Sequence, residues 1–502
     1  MSVKYVRPEV MRLRPIYRMI RDVLRGPEAV KAGGQAYLPH PDPVDAATQP
    51  GMARYNNYSA RAVFFDATAR THEGFIGQIF YREFQVELPE QMRVMLQDID
   101  GEGTTMEQQA KNTTGEVLGF GRAGLLVDYT TTVANPTLAD QMAGRARPTI
   151  SMYIAENIIN WRWTTVGNSK FLSLVVLEET AYEDDDGFEA TEVPQWRELR
   201  MVPKDPEAEN PEFILVVRLH RQVDGEFKVV SESFPTMGNG KNWDIIPFCF
   251  IGSVDNDPTV DKPPVEGMAH VNIAHYRNSA DYEESVFMLG QPTPWASGIT
   301  ENWLKEAWNG ELRLGCREFI PLPDGGQMGL LQVSPNTMAK EAMDQKERQL
   351  VALGAKLAEA KQVQTTATEE NRNSVIENST LSSVAKNTSS AYSKALLYAA
   401  MYAGADTKVV FELNTDFEIT RMSAQDRQQL LAEWQGGGIT WDEYRWNMKR
   451  SGIAYEDDKK AKRTIQAELE ESLNLENEDG RSPSSGQSAS GVPGEGEDRT
   501  DE

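Results

Sequence analysis

The chain has 502 residues, 40% of them hydrophobic, with 76 acidic against 51 basic side chains and a formal net charge of −25. That length supports two to four structural units. The charge excludes a protein that coats DNA, which needs clustered positive side chains, but stays compatible with one through which DNA slides.

No apolar run approaches the roughly 18 residues of a membrane span. The first 30 residues are dotted with arginine and lack the apolar centre of a secretory signal. Two cysteines, Cys249 and Cys316, make no disulfide framework, and Cys249 in IIPFCFIG reads as core; a reduced, cytosolic setting is expected.

Residues 1–32 carry eight Lys/Arg (Lys4, Arg7, Arg12, Arg14, Arg18, Arg21, Arg25, Lys31) against Glu9, Asp22 and Glu28. Met11, Met19, Ile20, Val23 and Leu24 lay an apolar stripe along them, ending at Gly26-Pro27. Two readings fit: an amphipathic surface helix, or an arm touching nucleic acid or a neighbouring subunit. LPHPDP (Leu38 to Pro43) is a loop, a helix is expected over Ala53 to Thr71, and Gly74 to Met92 shows no clear period. DIDGEGTTMEQQ sets Asp98, Asp100, Glu102 and Gly103 at positions 1, 3, 5 and 6 of a calcium loop, but Gln109 stands where a bidentate Glu is needed. A turn is expected there, with a helix capped at Thr104 or Thr105.

GFGRAG (Gly119 to Gly124) matches GxGxxG letter for letter. A dinucleotide site needs strand, glycines, then helix, whereas here a helix precedes and the strand LLVDYT follows, so the glycines cap and turn the chain. From Ile150 to about Ser253 the pattern is β-rich, with runs NIINWRW, FLSLVVLEE, EFILVVRLH, FKVVSES and IIPFCFI, and a hairpin turn at Val223 to Glu226. MGNGKN (Met237 to Asn242) fails as a phosphate loop, because Pro235 replaces the first glycine and Asn242 follows Lys241.

The next stretch organises the chain. Pro263-Pro264 opens and Gly290 with Pro292 closes a proline-free helix from Val265, about 35 Å long if some 23 residues are helical. Its apolar residues lie on more than one face, which implies neighbours on two sides. His270 and His275 stand five apart, off the spacing that puts two imidazoles on one metal. An insert follows, with Trp295, Trp303, Trp308, the strand-like REFIPL and a turn at Asp324. A second helix is expected over Asn336 to Ala360, then the polar connector QVQTTAT (Gln362 to Thr368), then a third helix from about Glu369 to Ala403 rich in small residues. Beyond Gly404, VVFELN is strand-like, helices are expected at 423–435 and 441–451 around the break Gly436 to Gly438, and the acidic tail from Glu478 is disordered.

Several runs in this order resemble the portal proteins of tailed double-stranded DNA bacteriophages, the head-to-tail connectors: IRDVLRG with VKAGGQAYLP, DIDGEGTT, GFGRAGLLVDY, RPTISMYIAENIINWRW, IIPFCFIGS, HVNIAHYRNSADYEESVFMLGQPTP, and LGAKLAE before TATEEN. The resemblance covers the chain to about residue 450. It implies an α+β portal fold with a β-rich wing, a long α-helical stem, a small α/β clip, a helical crown and a disordered acidic C-terminal tail. Carried onto this chain, 1–32 is the basic N-terminal helix, 33–262 the wing, 263–290 and 336–361 the stem helices, and 291–335 the clip. The tunnel loop is then 362–371, the long wing helix 372–404, the crown 405–475 and the tail 476–502.

The resemblance further implies a ring of about twelve copies at one capsid vertex of the virion, assembled in the host cytoplasm, through which double-stranded DNA is packaged and ejected. Its partners would be the large terminase, the major capsid and scaffold proteins and the head-tail adaptor or tail proteins, with no membrane, no cofactor and no metal. The DNA-facing loop would present Lys361, Gln362, Gln364, Thr365, Thr366, Thr368 and Arg372. The channel wall would present Lys340, Lys346, Arg348 and Lys356, the alternative being that these pair with Glu341, Glu347 or Glu359. The clip interface would use Trp295, Trp303, Trp308 and Arg317. About twelve such chains carry a charge on the order of −300, which favours sliding over adhesion. Two rival classes are a packaging nuclease or ATPase, for which no phosphate loop or Mg²⁺-binding carboxylate cluster is visible, and another capsid or scaffold component.

Overall fold

The computed structural model describes residues 3–131, 146–166, 169–183, 186–205, 207, 212–223, 225–290, 293–308, 322–331, 337–358, 379–415, 417, 424–450, 453–454, 458 and 460–467. The fold mixes helix and sheet, as an α+β chain does, in two units, 1–416 and 417–502.

Local signals set the first helix. Pro8 follows an extended Arg7 and starts α1 (Pro8–Arg25), and Gly26 at φ 93° ends it. Its buried face is Val10, Tyr17, Ile20 and Val23, while Met11, expected in the stripe, stays 52% exposed. After α2 (Pro27–Ala32) come two helices, α3 (Gln49–Arg61) and α4 (Ala67–Ile79), in place of the single one expected over 53–71. The break is made by a distant side chain. Val63 N donates to Ser279 Oγ at 3.1 Å and Ser279 Oγ donates to Val63 O at 2.6 Å, fixing the chain outside a helical ladder.

The turn at Asp98 forms as expected, with Asp98 Oδ1 accepting from Gly101 N and Gly103 N. Thr105 caps α5 (Met106–Phe120) by accepting from Gln108 N. Gly121, left-handed at φ 75°, then turns the chain directly into β2 (Arg122–Thr131). The helix-then-strand order of GFGRAG is therefore observed.

Two antiparallel sheets follow. A three-stranded sheet has the order β3-β2-β9, with β3 at Ala146–Ile154 and β9 at Phe248–Gly252. A five-stranded meander runs β4 (Ile158–Val166), β5 (Ser169–Glu183), β6 (Thr191–Pro203), β7 (Phe213–Val223) and β8 (Glu226–Ser233). Strands β3 and β6 were not among the expected runs. In β6, Pro194 and the charges Glu192, Arg197, Glu198 and Arg200 mask the alternation, and the sheet resolves one of them by pairing Arg197 Nε with Glu179 Oε1 at 2.6 Å on β5.

Helix α6 (Glu266–Leu289) matches the expected helix within a residue at either end. Beyond it lie β10 (Thr293–Ser297), α7 (Glu301–Trp308), β11 (Gln327–Leu331) and α8 (Met338–Ala358), the last close to the expected 336–360. Helix α9 (Thr380–Ala403) begins later than expected, because Ser379 in an extended conformation caps it by accepting from Ser382 N; 369–378 lie outside the described residues. Strand β12 (Val410–Glu412) pairs with the short β1 (Gln85–Glu87), placing Val86 opposite Phe411.

One hydrophobic cluster joins α1, α3 and α6 through Tyr17, Ile20, Tyr58, Ile273 and Tyr276, each apolar side chain worth about 1.5–3 kcal/mol when fully buried. Helix α9 lays Ala385, Ala391, Ala395 and Ala399 inside, small residues that let it lie close to the three-stranded sheet. Tyr392 bonds Thr113 Oγ1 and Gln109 Oε1 on α5, and Gln109 Nε2 donates to Ile150 O, so this buried polar row is satisfied. The second unit contains α10 (Ala424–Gln435) and α11 (Trp441–Arg450), with Trp434, Trp441 and Tyr444 stacked together.

Candidate functional site

The pair α6 and α8 is antiparallel. A Cβ at Gly267 would lie 3.9 Å from the Leu353 side chain, one at Gly354 would lie 3.8 Å from Met268, and His275 Nε2 is 3.4 Å from Glu347 Oε1, so position rises on one helix as it falls on the other. The two-sided apolarity of α6 is used inside the chain: Met268, Ala269, Ile273 and Tyr276 are buried among α1, α3, α4 and α8. Its last turn leaves apolar side chains open, with Val286, Phe287 and Met288 about half exposed or more. His275 is 3% exposed in its side chain, lies 5.5 Å from the Phe65 ring, and has the Glu347 carboxylate 3.4 Å from its Nε2, with no well-formed hydrogen bond to either ring nitrogen among the described residues. Burial pushes its pKa down, with the Glu347 carboxylate pulling the other way.

Helix α8 is covered along one stripe, with Leu350 and Gly354 buried, and its other face is open. Lys340, Arg348 and Lys356 are exposed and Lys346 is half-buried, and none of the four forms an ion pair among the described residues. Pairing within the helix is not what occupies the carboxylates: Glu341 accepts from Thr337 Oγ1, and Glu347 faces His275. At about 100° per residue the four cations do not share one face; Arg348 is central on the open side, Lys340 and Lys356 flank it, and Lys346 points toward the packed side. A groove of about 1000 Å³ lies between α4 and α8, walled by Phe65, Phe75, Leu350, Val351 and Ala355.

At the far end of the pair, β10 and β11 form a two-stranded sheet with Trp295 opposite Gly329. The turn at Asp324 forms as expected, with Gly325 at φ 80° and Gly326 N donating to Pro323 O. Trp295 is 43% and Leu330 63% exposed, and Trp303 is half-buried on α7. Arg317, REFI and the side chain of Trp308 lie outside the described residues, as do all seven loop residues, Lys361, Gln362, Gln364, Thr365, Thr366, Thr368 and Arg372.

Part of the basic N-terminal stripe is spent within the chain, while Arg12, Arg18 and Arg25 are exposed. Arg7 stacks 4.4 Å over Trp161 and bonds its carbonyl, Arg14 meets Glu178 at 2.9 Å, and Arg21 grips Glu116 and Glu156. The amphipathic helix is the reading that the structure supports for these residues. MGNGKN serves packing: Gly238 N donates to Met401 O, and a Cβ there would fall 2.4 Å from Gly404 N at the end of α9. Cys249 is buried, and burial raises its thiol pKa to about 12. Among the described residues no helix is long and apolar enough to cross a membrane, and no three His, Cys, Asp or Glu side chains are grouped to hold a metal ion.

Two features escaped the sequence reading. Phe188, at the β5–β6 turn, is fully exposed. An apolar slot of about 490 Å³ opens between β9, α9 and the adjoining ends of β4 and β5. The signal for the first was an aromatic residue directly after the acidic turn YEDDDG; the slot has no linear signature, because its walls come from separate strands and a helix.

A family model described as a domain of unknown function (DUF4055) matches residues 264–403, the span from the start of α6 to the end of α9. No curated protein matches the chain. Among solved structures, a chain of "Neck of empty GTA particle computed with C6 symmetry" is similar at 13% identity and a TM-score of 0.38, covering 83% of this chain and 95% of that one; that likeness is too loose to build on.

Proposed function

We propose that the chain is the subunit of a ring-shaped portal at one vertex of a bacteriophage capsid, a non-enzymatic channel for double-stranded DNA. The antiparallel pair α6 and α8 carries this reading: two long helices joined at one end by a small knob with an exposed tryptophan, the chain then running from α8 through 359–378 into α9. The ordered runs that resemble portal proteins support it from the sequence. On this reading α6 and α8 are the stem, 291–335 the clip that meets terminase and later the tail adaptor, and 362–371 the loop that faces DNA. The body to residue 262 with α9 is the wing, and 405–475 the crown. Arg348, Lys340 and Lys356, exposed on α8, make weak phosphate contacts along the channel.

Light scattering coupled to size-exclusion chromatography tests the assembly. A subunit of 56.2 kDa gives a ring on the order of 670 kDa, and imaging then has to show a central hole. A persistent dimer or trimer at high concentration, with capsid and scaffold proteins present, overturns the reading.

A further inference from the structure

The β5–β6 hairpin stands out from its sheet. Strand β4 pairs with β5 only as far as Leu177, and β7 pairs with β6 only from Gln195, so from Glu178 to Glu183 and from Thr191 to Pro194 the ladder has two strands alone. In the described part of its turn Phe188 N and Glu189 N both donate to Asp186 Oδ1, with Gly187 at φ 87°. On this arm Phe188 is fully exposed and Tyr182 is 64% exposed, beside the carboxylates of Asp186 and Glu189. An aromatic side chain on a fixed turn with no apolar neighbour is costly to leave in water.

The other end of the same sheet holds a matching surface. The slot is walled by Trp163, Phe171, Phe248, Phe250 and Tyr398, with Cys249 beside them. Lys394 lines it, with Nζ 5.8 Å from the Tyr398 ring, and Lys170 stands beside its wall residue Trp163, with Nζ 5.6 Å from that ring. Neither forms an ion pair among the described residues, and the one carboxylate on the rim, Asp257, is taken by Thr259 N and Oγ1. Phe171 and Glu183 are separated along β5 by about 40 Å of extended chain, so the arm does not reach its own slot.

We infer that the arm of one copy docks in the slot of the next, Phe188 entering between the rings and Lys170 and Lys394 facing Asp186 and Glu189. Knob and slot at opposite ends of one rigid sheet make a head-to-tail contact, the kind that closes into a ring or propagates as a filament. The contact rests on the ring reading only in requiring that copies meet.

Two variants at exposed positions test it, Phe188→Glu and the double variant Lys170→Glu with Lys394→Glu, each checked for an unchanged melting profile. Each alone is expected to weaken association by on the order of tenfold or more and to leave single chains of 56.2 kDa at concentrations where the wild type assembles. Mixed in equal amounts they are expected to give a two-chain species, because the double variant keeps the knob and Phe188→Glu keeps the neutral rings and lysines; at the mismatched contact both partners are defective. Rings that form unchanged in both variants overturn the docking while leaving the channel reading intact. A wild type that stays at the mass of one chain under all conditions overturns both, and a mixture that gives no two-chain species while each variant is a monomer overturns the pairing of these two surfaces.

Discussion

The Arg122 guanidinium is buried with none of its nitrogens hydrogen-bonded among the described residues, 4.0 Å over Trp161 and 5.0 Å from Phe250. Burial pulls its pKa down to about 10, and stacking on the rings offsets only part of that desolvation. Arg122→Met keeps the stem and removes the charge, so thermal melting is expected to be unchanged or raised; Trp161→Ala is expected to cost about 3–5 kcal/mol. A loss above about 2 kcal/mol for Arg122→Met would mean that the charge is stabilising. Glu179 is the opposite case. Burial acts to raise its pKa, but Arg197, Tyr153 and Gln195 bond the carboxylate and hold it below the ordinary value. Its contribution is therefore complete above the unfolded value near pH 4.3 and is lost as pH falls through the lower folded value. Urea unfolding at about pH 6 and about pH 3 should show a smaller loss for Glu179→Gln than for the wild type; equal losses would assign the acid sensitivity to other groups.

Between elements, His275 makes the α6–α8 contact depend on pH. Its folded pKa lies below the ordinary value because the ring is buried, with Glu347 opposing and Lys346 adding to the shift. The unfolded chain takes up the proton first, so the packing is at full strength above about pH 6.5 and weakens as pH falls through the folded value. Hydrogen exchange in Met338–Ala358, corrected for intrinsic rates, should be faster at about pH 5.5 than at about pH 8, and His275→Gln should remove the difference; a difference that persists would exclude this imidazole. The seat of Gly238 on the end of α9 gives a second check, with Gly238→Ala expected to cost about 1–3 kcal/mol in chemical unfolding. Elements such as α6, α5 and the hairpin at Val223 to Glu226 were legible because their signals are local: a double proline, a capping threonine, a turn glycine. The break between α3 and α4 was not, since Ser279, 216 positions away, decides it. Nor was the internal use of the basic stripe, because Glu116, Glu156 and Glu178 reach it only through the fold.

At the scale of the molecule, net charge bears on the passage of DNA proposed above. With −25 per copy, affinity for duplex DNA should be unmeasurable near 150 mM salt and emerge only near 20 mM in a fluorescence titration; tight binding that survives salt would contradict a role in passage. The same chain also carries a constraint on its own synthesis. Tyr392 on α9 bonds Thr113, 279 positions earlier, and β12 is the partner that β1 must wait for. At ribosomal rates of about 5–20 residues per second, α5 waits on the order of 15 to 60 s for the helix that covers it. The apolar face of that early half lacks its α9 cover during the delay, whereas α6 and α8 find each other from within one continuous stretch. The α6–α8 pair is complete before α9 has closed the early half.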